Sequence, residues 1–390
     1  MNGPASGRDH EAPTAHQRLD ALVRERAAII CCGAGGVGKT TVSAALALAG
    51  ARAGRRVLVV TIDPSRRLAE TLGVDRNPPE PMPVPAAMLE QAGVTPPGAL
   101  DAWMLDPQKV TETVIRAEAK TPGEVSELLH NRIYRHVSTM IAGLQEYAAV
   151  EALYLFLTQG RYDLVVLDTP PSRNALQFLE APTRANLFLD GRVFQLFIPG
   201  EGGLIRRATA KLVGKVLDTT IGQTQRVELQ AFFKQFSSIL ASTRRHALEI
   251  RDFFAQPEVS FLMVTSPAKE ALAEAFHFQD KTQEQLGLQV EGYILNRSLA
   301  AAGMRQPPDL AFSGQQISET QRRALEKLRP LAELEQAQAR KDHDLLLELA
   351  QRAGPDGLAL ALPYLGDGVT DLTTLLSLLD DGANPDPTTP

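Results

Sequence analysis

Cysteine is scarce in this sequence of 390 residues, which has only Cys31 and Cys32. Adjacent residues on a strand point to opposite faces of a sheet, so these two thiols are poorly placed for a disulfide or a shared metal ion. We expect both to be small, buried, apolar residues. Because cysteine is this rare, no disulfide framework is expected, and the sequence favours a reducing, cytoplasmic location.

Long apolar runs and excess positive charge are also missing. No run of roughly 18 apolar residues is present, so no transmembrane segment is expected. Residues 1–20 contain no apolar signal core and are predicted to be a disordered leader. The net charge of −6 argues against general nucleic-acid binding. The 44% of hydrophobic residues and 22% of charged residues are typical of a globular chain with one large domain or two.

Glycines are concentrated between an apolar run at residues 27–32 and a helix-like run at residues 41–53. The sequence between them satisfies the G-x-x-x-x-G-K-[ST] pattern of a phosphate-binding loop. Glycines let backbone N–H groups surround a phosphate, and the following helix N-terminus adds donors. Lys39 is predicted to reach the β- and γ-phosphates, and Thr40 is predicted to ligate Mg²⁺. The predicted nucleotide-binding residues of the loop are Gly33, Gly35, Gly36, Val37, Gly38, Lys39, Thr40 and Thr41.

A second interpretation of the same glycines is possible, because Gly33, Gly35 and Gly38 also spell G-x-G-x-x-G. That pattern is typical of dinucleotide-binding Rossmann folds. Lys39 and the two hydroxyl residues after it favour the phosphate loop, since a dinucleotide turn needs none of them. Asp63 also lies further along the chain than the spacing of about 20 residues expected for a ribose-binding acid. A glycine-rich turn without a ligand is the third and least favoured alternative.

Two later apolar runs end in acidic residues. Residues 56–62 lead to Asp63, and residues 162–167 lead to Asp168. Continuous apolar runs are typical of parallel strands covered on both faces, and ligands bind at the C-terminal ends of such strands. The second run resembles a Walker B strand, which predicts that Asp168 holds Mg²⁺ through a water molecule.

The residues that follow this second acid predict a turn that senses the γ-phosphate. Asp168, Pro170 and Pro171 are the predicted residues of this second switch segment. The alternative is an ordinary turn at the end of a strand. The phosphate loop upstream favours the functional interpretation.

The rest of the chain alternates between strand-like and helical patterns. Residues 77–97 are rich in proline and predict a surface loop or a loosely ordered insertion. Further strands are predicted at residues 259–265, 291–296 and 358–362, helices at 269–286, 317–352 and 370–379, and a tail at 381–390. This order predicts an α/β fold, a doubly wound parallel sheet of the P-loop NTPase type. We expect one ATPase domain over residues 21–380, with helical insertions at about 99–159 and 183–256.

The second insertion contains a basic amphipathic segment at residues 205–217. Such a helix can lie on a membrane surface or contact a partner helix. Ordinary packing onto the ATPase core is an equally favoured alternative.

Four segments in order resemble the ArsA-type ATPases, a family that includes ATPases driving arsenical pumps and ATPases targeting tail-anchored membrane proteins. The segments are Gly33-Ala34-Gly35-Gly36-Val37-Gly38-Lys39-Thr40-Thr41, Thr61-Ile62-Asp63-Pro64, Asp168-Thr169-Pro170-Pro171-Ser172 and Ile294-Leu295-Asn296-Arg297. The resemblance covers about residues 21–379. It implies a nucleotide domain with helical insertions, with ATP and Mg²⁺ as its ligands.

The resemblance also implies roles for individual residues. Asp63 is the expected first-switch acid, and with Lys39 it forms the predicted catalytic pair. A carboxylate beside the γ-phosphate can accept a proton from the attacking water or orient that water. Asn296 is expected to contact the adenine edge, and Pro363 is expected to pack on the base. Residues 183–256 correspond to the region that builds a hydrophobic client groove in the targeting ATPase.

The sequence departs from this family in its metal-binding residues. The cysteine pair that holds an interfacial zinc ion is absent. Two thiols are also too few for a three-thiolate metalloid site within one chain. We therefore expect neither a zinc site nor a metalloid site.

The largest departure is Ala34, which stands where related loops carry a signature lysine that reaches the partner's nucleotide across a dimer interface. Three consequences remain open. Arg66 or Arg173 could substitute for the lysine. The chain could be a slow switch that binds ATP and hardly hydrolyses it. A related second chain could donate the lysine in a heterodimer. The slow switch and the heterodimer are favoured over an efficient homodimer.

Two outputs are compatible with such an ATPase. The favoured one is a nucleotide-gated dimeric switch that binds a hydrophobic client or a partner protein. The alternative is a spatial-positioning ATPase of the ParA or MinD kind. That alternative is disfavoured because the chain is acidic and its last residues, 384–390, are neither basic nor amphipathic.

Overall fold

The structure, a computed structural model, describes residues 13–62, 66–75, 78, 80–105, 150–151, 153–154, 156–171, 175–176, 179–180, 248–300, 318–365, 369 and 371–385. Helices with defined bounds are α1 (Ala15–Glu25), α2 (Lys39–Arg52), α3 (Arg66–Leu72), α4 (Ala86–Gln91), α5 (Lys269–Leu286), α6 (Glu319–Ala353) and α7 (Leu372–Asp380). The strands are β1 (Ala28–Cys32), β2 (Arg56–Thr61), β3 (Met82–Pro83), β4 (Ala99–Met104), β5 (Leu164–Asp168), β6 (Val259–Thr265), β7 (Gly292–Ser298) and β8 (Leu358–Pro363).

One eight-stranded sheet organises these elements, in the order β3-β4-β2-β5-β1-β6-β7-β8. Neighbouring strands are parallel, except that β3 pairs with β4 in the antiparallel sense. The predicted α/β class with a parallel, doubly wound sheet is confirmed. Strand β6 and helix α5 coincide with the predicted bounds of residues 259–265 and 269–286.

The buried residues form two apolar clusters, one on each face of the sheet. Cys31 belongs to the cluster beneath α2, and Cys32 belongs to the cluster on the other face. Helix α2 lies close to the sheet because its residues are small. A Cβ added to Gly50 would lie 2.7 Å from Leu164 Cδ2, so glycine permits this approach. Helix α2 follows β1, a central strand, so its N-terminus lies at the centre of the sheet.

Helix α1 corrects the boundary of the predicted disordered leader, residues 1–20. The Thr14 side chain accepts from the backbone N–H of Gln17, and the Gln17 side chain accepts from the backbone N–H of Thr14. This capping box starts the helix. Arg18 then donates to the backbone carbonyls of Pro355 and Gly357, at 2.6 and 2.9 Å. Residues 15–20 are therefore ordered.

Strand β4 corrects the predicted helical insertion at residues 99–159. It pairs with β2 and buries Leu100, Ala102 and Trp103. Alanine, leucine and methionine favour helix intrinsically, and pairing with the sheet overrides that preference. The predicted surface loop or loosely ordered insertion at residues 77–97 is also corrected, since residues 80–97 include β3 and α4 and bury Leu89.

The predicted tail, residues 381–390, begins as part of the sheet edge. Ala383 exchanges two backbone hydrogen bonds with Ala361 of β8, at 2.7 and 3.0 Å. Residues 386–390 lie outside the described residues, as do 106–149 and 181–247. Most of both predicted helical insertions, including residues 205–217, therefore falls outside them. Within the described part of the chain, every helix is too short or too polar to cross a membrane.

Helix α6 has 35 residues and two different halves. Its C-terminal half packs on β7 and β8 and buries Leu346 and Leu349. In the other half, Leu328, Leu331 and Leu334 are 53, 57 and 67% exposed. The helix therefore joins an exposed surface to the strand that carries the predicted adenine contact.

The two thiols provide a test of this fold. Burial raises the pKa of Cys31 and of Cys32 to about 12. At about pH 8 only about one thiol in 10,000 would be the reactive thiolate. We expect no reaction of the native protein with Ellman's reagent, and reaction of both thiols after unfolding in guanidinium. Rapid labelling of the native protein would contradict the burial of β1.

Candidate nucleotide-binding site

The phosphate-loop sequence connects the C-terminal end of β1 to α2, at the centre of the sheet. Gly33, Gly36 and Gly38 have φ angles of 152°, 79° and 94°, which L side chains rarely adopt. A Cβ on Gly33 would also overlap the carbonyl oxygen of Val264 on β6. Gly35 and Gly36 are exposed, so the outer part of the loop is accessible. These conformations explain why the pattern requires glycine.

Lys39 is the first residue of α2, and its side chain turns back into the loop. Its Nζ donates to the backbone carbonyl of Ala34 at 3.0 Å, and the residue is 7% exposed. The ammonium charge therefore lies inside the loop, beside the positive end of the helix dipole. Positive charge and N–H donors gathered at one helix N-terminus suit a phosphate.

A buried carboxylate joins this loop to two neighbouring strands. The Thr40 hydroxyl donates to Asp168 Oδ2 at 2.5 Å, and the Thr61 hydroxyl donates to the same oxygen at 2.9 Å. Asp168 ends β5, Thr61 ends β2, and the two residues are in register. Asp168 is 1% exposed. The structure thus brings together Thr40 and Asp168, the two predicted Mg²⁺ residues.

The second switch segment begins directly after this carboxylate. The Thr169 hydroxyl donates to the backbone carbonyl of Cys31 at 2.8 Å, which fixes the start of the segment to β1. Pro170 and Pro171 are half-buried. A Cβ on Gly35 would lie 3.9 Å from Pro171, so this proline lies beside the phosphate loop. The predicted switch residues and the loop are therefore neighbours.

Asn296 contacts the phosphate loop from the other side. Its Nδ2 donates to the backbone carbonyl of Val37 at 2.8 Å, and the residue is 5% exposed. A Cβ on Gly38 would overlap Asn296 Nδ2, so glycine is required at this position by packing as well as by backbone conformation. The predicted adenine contact of Asn296 is not tested by these distances and stays a prediction.

Pro363 ends β8 and pairs with Ser298 on β7. It is half-buried, and the next residue, Tyr364, is 59% exposed. Asn296 and Pro363 thus lie at the same edge of the sheet as the loop, on neighbouring strands. This arrangement fits the predicted adenine side of the site.

Not every predicted site residue can be placed. Asp63 and Arg173 lie outside the described residues, and so does the side chain of Arg66. Thr41 is half-buried in the first turn of α2. The catalytic role of Asp63 stays a prediction.

The sequence predicts no hydrogen-bond partner for two hydroxyl residues of the site. Thr61 and Thr169 lie in the motif segments, but the motifs assign ligand binding and catalysis to their neighbours. Thr61 is the last residue of β2, and Thr169 directly follows β5. These positions could have identified both as site residues. Hydroxyls at strand ends lie where open α/β sheets bind ligands.

The donor set fits a nucleotide with Mg²⁺. The Thr40 hydroxyl and the Asp168 carboxylate are hard oxygen ligands of the kind Mg²⁺ prefers, and they are already adjacent. Lys39 and the glycine backbone offer donors to phosphate oxygens. Within the described residues, no group of three or more His, Cys, Asp or Glu side chains could hold a metal ion by itself.

Comparison with known proteins supplies the family. The model for the anion-transporting ATPase family matches residues 26–328, more than half of the chain. A putative arsenical pump-driving ATPase 1 of Aquifex aeolicus is 23% identical over 254 residues, which cover 63% of this chain and 57% of that protein. A putative arsenical pump-driving ATPase of Halobacterium salinarum is 30% identical over 182 residues, covering 46% of this chain and 28% of that protein. The ATPase GET3B of Arabidopsis thaliana is 24% identical over 285 residues, covering 68% of this chain and 63% of that protein.

The chain spans 57% and 28% of the length of the two pump-driving ATPases. The family match at residues 26–328 includes the phosphate loop, Asp168 and Asn296. The resemblance drawn from the four sequence segments is confirmed by this match. The chain belongs to the anion-transporting, ArsA-type ATPase family.

Proposed function

We propose that this chain binds Mg²⁺-ATP and hydrolyses it slowly, as a nucleotide-gated dimeric switch. The observation that carries the proposal is the shared carboxylate: Asp168 accepts from Thr40 of the loop and from Thr61 at the end of β2. Both predicted switch segments start within two residues of this cluster. A change at the phosphates would therefore reach both segments directly.

Different residues of the chain would bind the phosphates, orient the attacking water and hold Mg²⁺. Lys39 and the loop N–H groups bind the β- and γ-phosphates and stabilise charge on them. Asp63, in the role that the resemblance implies, orients the attacking water or accepts its proton. Thr40, and Asp168 through water, would hold Mg²⁺, which would supply positive charge that offsets the charge of the phosphates.

Ligand binding with a lysine substitution tests the loop. We expect ATP with Mg²⁺ to raise the melting temperature of the wild-type chain, because binding at 100 times Kd stabilises the native state by about 2.7 kcal/mol. Lys39→Ala should abolish this shift. Lys327→Ala, on an exposed part of α6, should keep it.

The same assay separates the alternatives. NAD should give no shift, and EDTA should reduce the ATP shift. A full ATP shift in Lys39→Ala would refute the loop assignment. A shift with NAD alone would favour the dinucleotide-binding alternative.

The dimer is proposed from the resemblance, as a homodimer or as a heterodimer with a related ATPase. Ala34 is 5% exposed, and its carbonyl accepts from Lys39. An alanine side chain supplies no charge to a partner's phosphates. We infer that the isolated chain hydrolyses ATP slowly, or that a second chain supplies the charge.

Turnover of an Ala34→Lys variant tests this inference. A group acting like an arginine finger changes the rate by about 10³-fold, so we expect a clear increase in ATP turnover. Ala34→Met, which has similar reach without charge, is the matched control and should stay near the wild-type rate. The inference would be wrong if the wild-type chain is fast and Arg66→Ala and Arg173→Ala leave that rate intact.

We propose that the output is the binding of a hydrophobic helix or a partner protein, in the cytoplasm. Its support is the family resemblance of residues 183–256, most of which lie outside the described residues. The spatial-positioning alternative rests on the basic segment at residues 205–217, which could touch lipid. A membrane-surface function would then replace client binding.

Two binding assays distinguish these outputs. We expect a fluorescent peptide of about 20 residues, the length of an apolar membrane helix, to bind in one nucleotide state more tightly than in the other. A control peptide with lysines on its apolar face should not bind. We also expect no ATP-dependent flotation with anionic liposomes. Strong ATP-dependent flotation, with no peptide binding, would favour the positioning alternative.

A further inference from the structure

Strand β7 contains an extra residue where it passes the phosphate loop. Its pairing with β8 continues from Leu295 to Ser298 with a register shift, so Asn296 and Arg297 together oppose one residue of β8. Arg297 has a φ of 59°, in the left-handed region that residues with a Cβ rarely adopt. A bulge of this kind bends a strand and redirects its side chains. Here it lies at Asn296, the residue that contacts the loop.

A buried carboxylate on α6 holds the chain just after this bulge. Asp342 Oδ2 accepts from Ser298 Oγ at 3.1 Å and from the backbone N–H of Leu299 at 2.8 Å. Asp342 Oδ1 accepts from Gln338 Nε2 at 2.7 Å. Asp342 is 1% exposed, and a carboxylate this deeply buried needs such donors. Two consecutive residues after the bulge are therefore fixed to α6.

A continuous series of contacts thus runs from α6 to the phosphate loop. Asp342 holds Ser298 and Leu299, the bulge lies directly before them, and Asn296 donates to Val37 at 2.8 Å. None of the sequence patterns singles out Asp342, because it lies more than 40 residues beyond the last motif in an ordinary amphipathic helix. Only the fold brings it beside the site.

We propose that Asp342 is a positioning residue for nucleotide binding. It fixes the bulge that holds Asn296 against the loop, and it thereby couples the position of α6 to the affinity of the loop for nucleotide. The proposal rests on the proposed function of the loop.

The bulge indicates that Asp342 does more than attach α6 to the sheet. A residue in the left-handed region persists only where its surroundings hold it there. The donors to Asp342 come from the two residues that directly follow Arg297. Without the carboxylate we expect Arg297 to relax toward an ordinary strand conformation, which turns Asn296 away from Val37.

A double-mutant cycle on Mg²⁺-ADP affinity tests the proposal. Affinity is measured by calorimetry, well below the melting temperature, for the wild type, Asp342→Ala, Asn296→Ala and the double variant. We expect each single change to weaken ADP binding about tenfold, and the double variant to be within about twofold of either, because both act through one contact. Asp344→Ala, at an exposed position of the same helix, is the matched control and should keep the wild-type affinity.

The contrary outcomes are distinct. If the two single effects multiply in the double variant, or if Asp342→Ala lowers the melting temperature without changing ADP affinity, the carboxylate is a structural anchor only. Asp342→Asn, which keeps one acceptor oxygen, should show an intermediate loss and serves if the alanine variant does not fold. A wild-type chain that binds no ADP would instead refute the proposed function, and this proposal with it.

Discussion

The geometry of the site depends on one buried carboxylate that accepts two hydroxyl hydrogen bonds. Asp168 brings together Thr40 from the first turn of α2 and Thr61 from the end of β2. Because these strands are parallel and in register, their C-terminal ends meet at one edge of the sheet. The segments that follow Thr61 and Asp168 are the proposed switches. Their starting points cannot move independently while the carboxylate holds both hydroxyls.

Close approach is the second constraint, and it falls on glycines. Gly33 lies against a backbone carbonyl of β6, Gly38 lies under the Asn296 amide, and Gly50 lies against Leu164 on the sheet. Each contact excludes a Cβ, but only the first two belong to the phosphate-loop pattern. The phosphate-loop pattern therefore includes only some of the glycines that close packing requires. The loop must fit between β6 and β7, and the helix behind it must lie close to β5.

The elements that could be predicted are those whose local sequence is enough to determine their burial and backbone conformation. Continuous apolar runs, such as those of β5 and β6, predict buried parallel strands because few other structures bury every residue. The phosphate loop is predictable because its backbone conformations demand glycine. Strand β4 was not predictable in this way, since its residues favour helix and only its pairing with β2 decides the structure. Helix α1 was missed although Thr14 and Gln17 form a capping box, because composition suggested disorder.

Contacts between distant segments were the least predictable part of the site. Thr61 belongs to a motif segment, but its hydrogen bond to Asp168 depends on strand order, which no local pattern contains. The same holds for Asn296, whose resemblance-based role concerns adenine while its observed contact is the carbonyl of Val37. Asp342 lies in an amphipathic helix, where a buried acid cannot be told from an exposed one until the helix is placed.

The two edges of the sheet carry different groups. At the N-terminal edge, Arg26 pairs with Glu291 at 2.5 Å and Arg56 pairs with Asp163 at 2.6 Å. The hydrogen bond from Arg56 holds the pKa of Asp163 below its usual value. Partly exposed pairs of this kind contribute about 0–1 kcal/mol each to stability. At the other edge, the phosphate loop is surrounded by hydroxyls, a lysine, a buried carboxylate and the Asn296 amide. Since ligands of open α/β sheets bind beyond the carboxyl ends of the strands, these two ion pairs lie at the edge opposite the proposed nucleotide site.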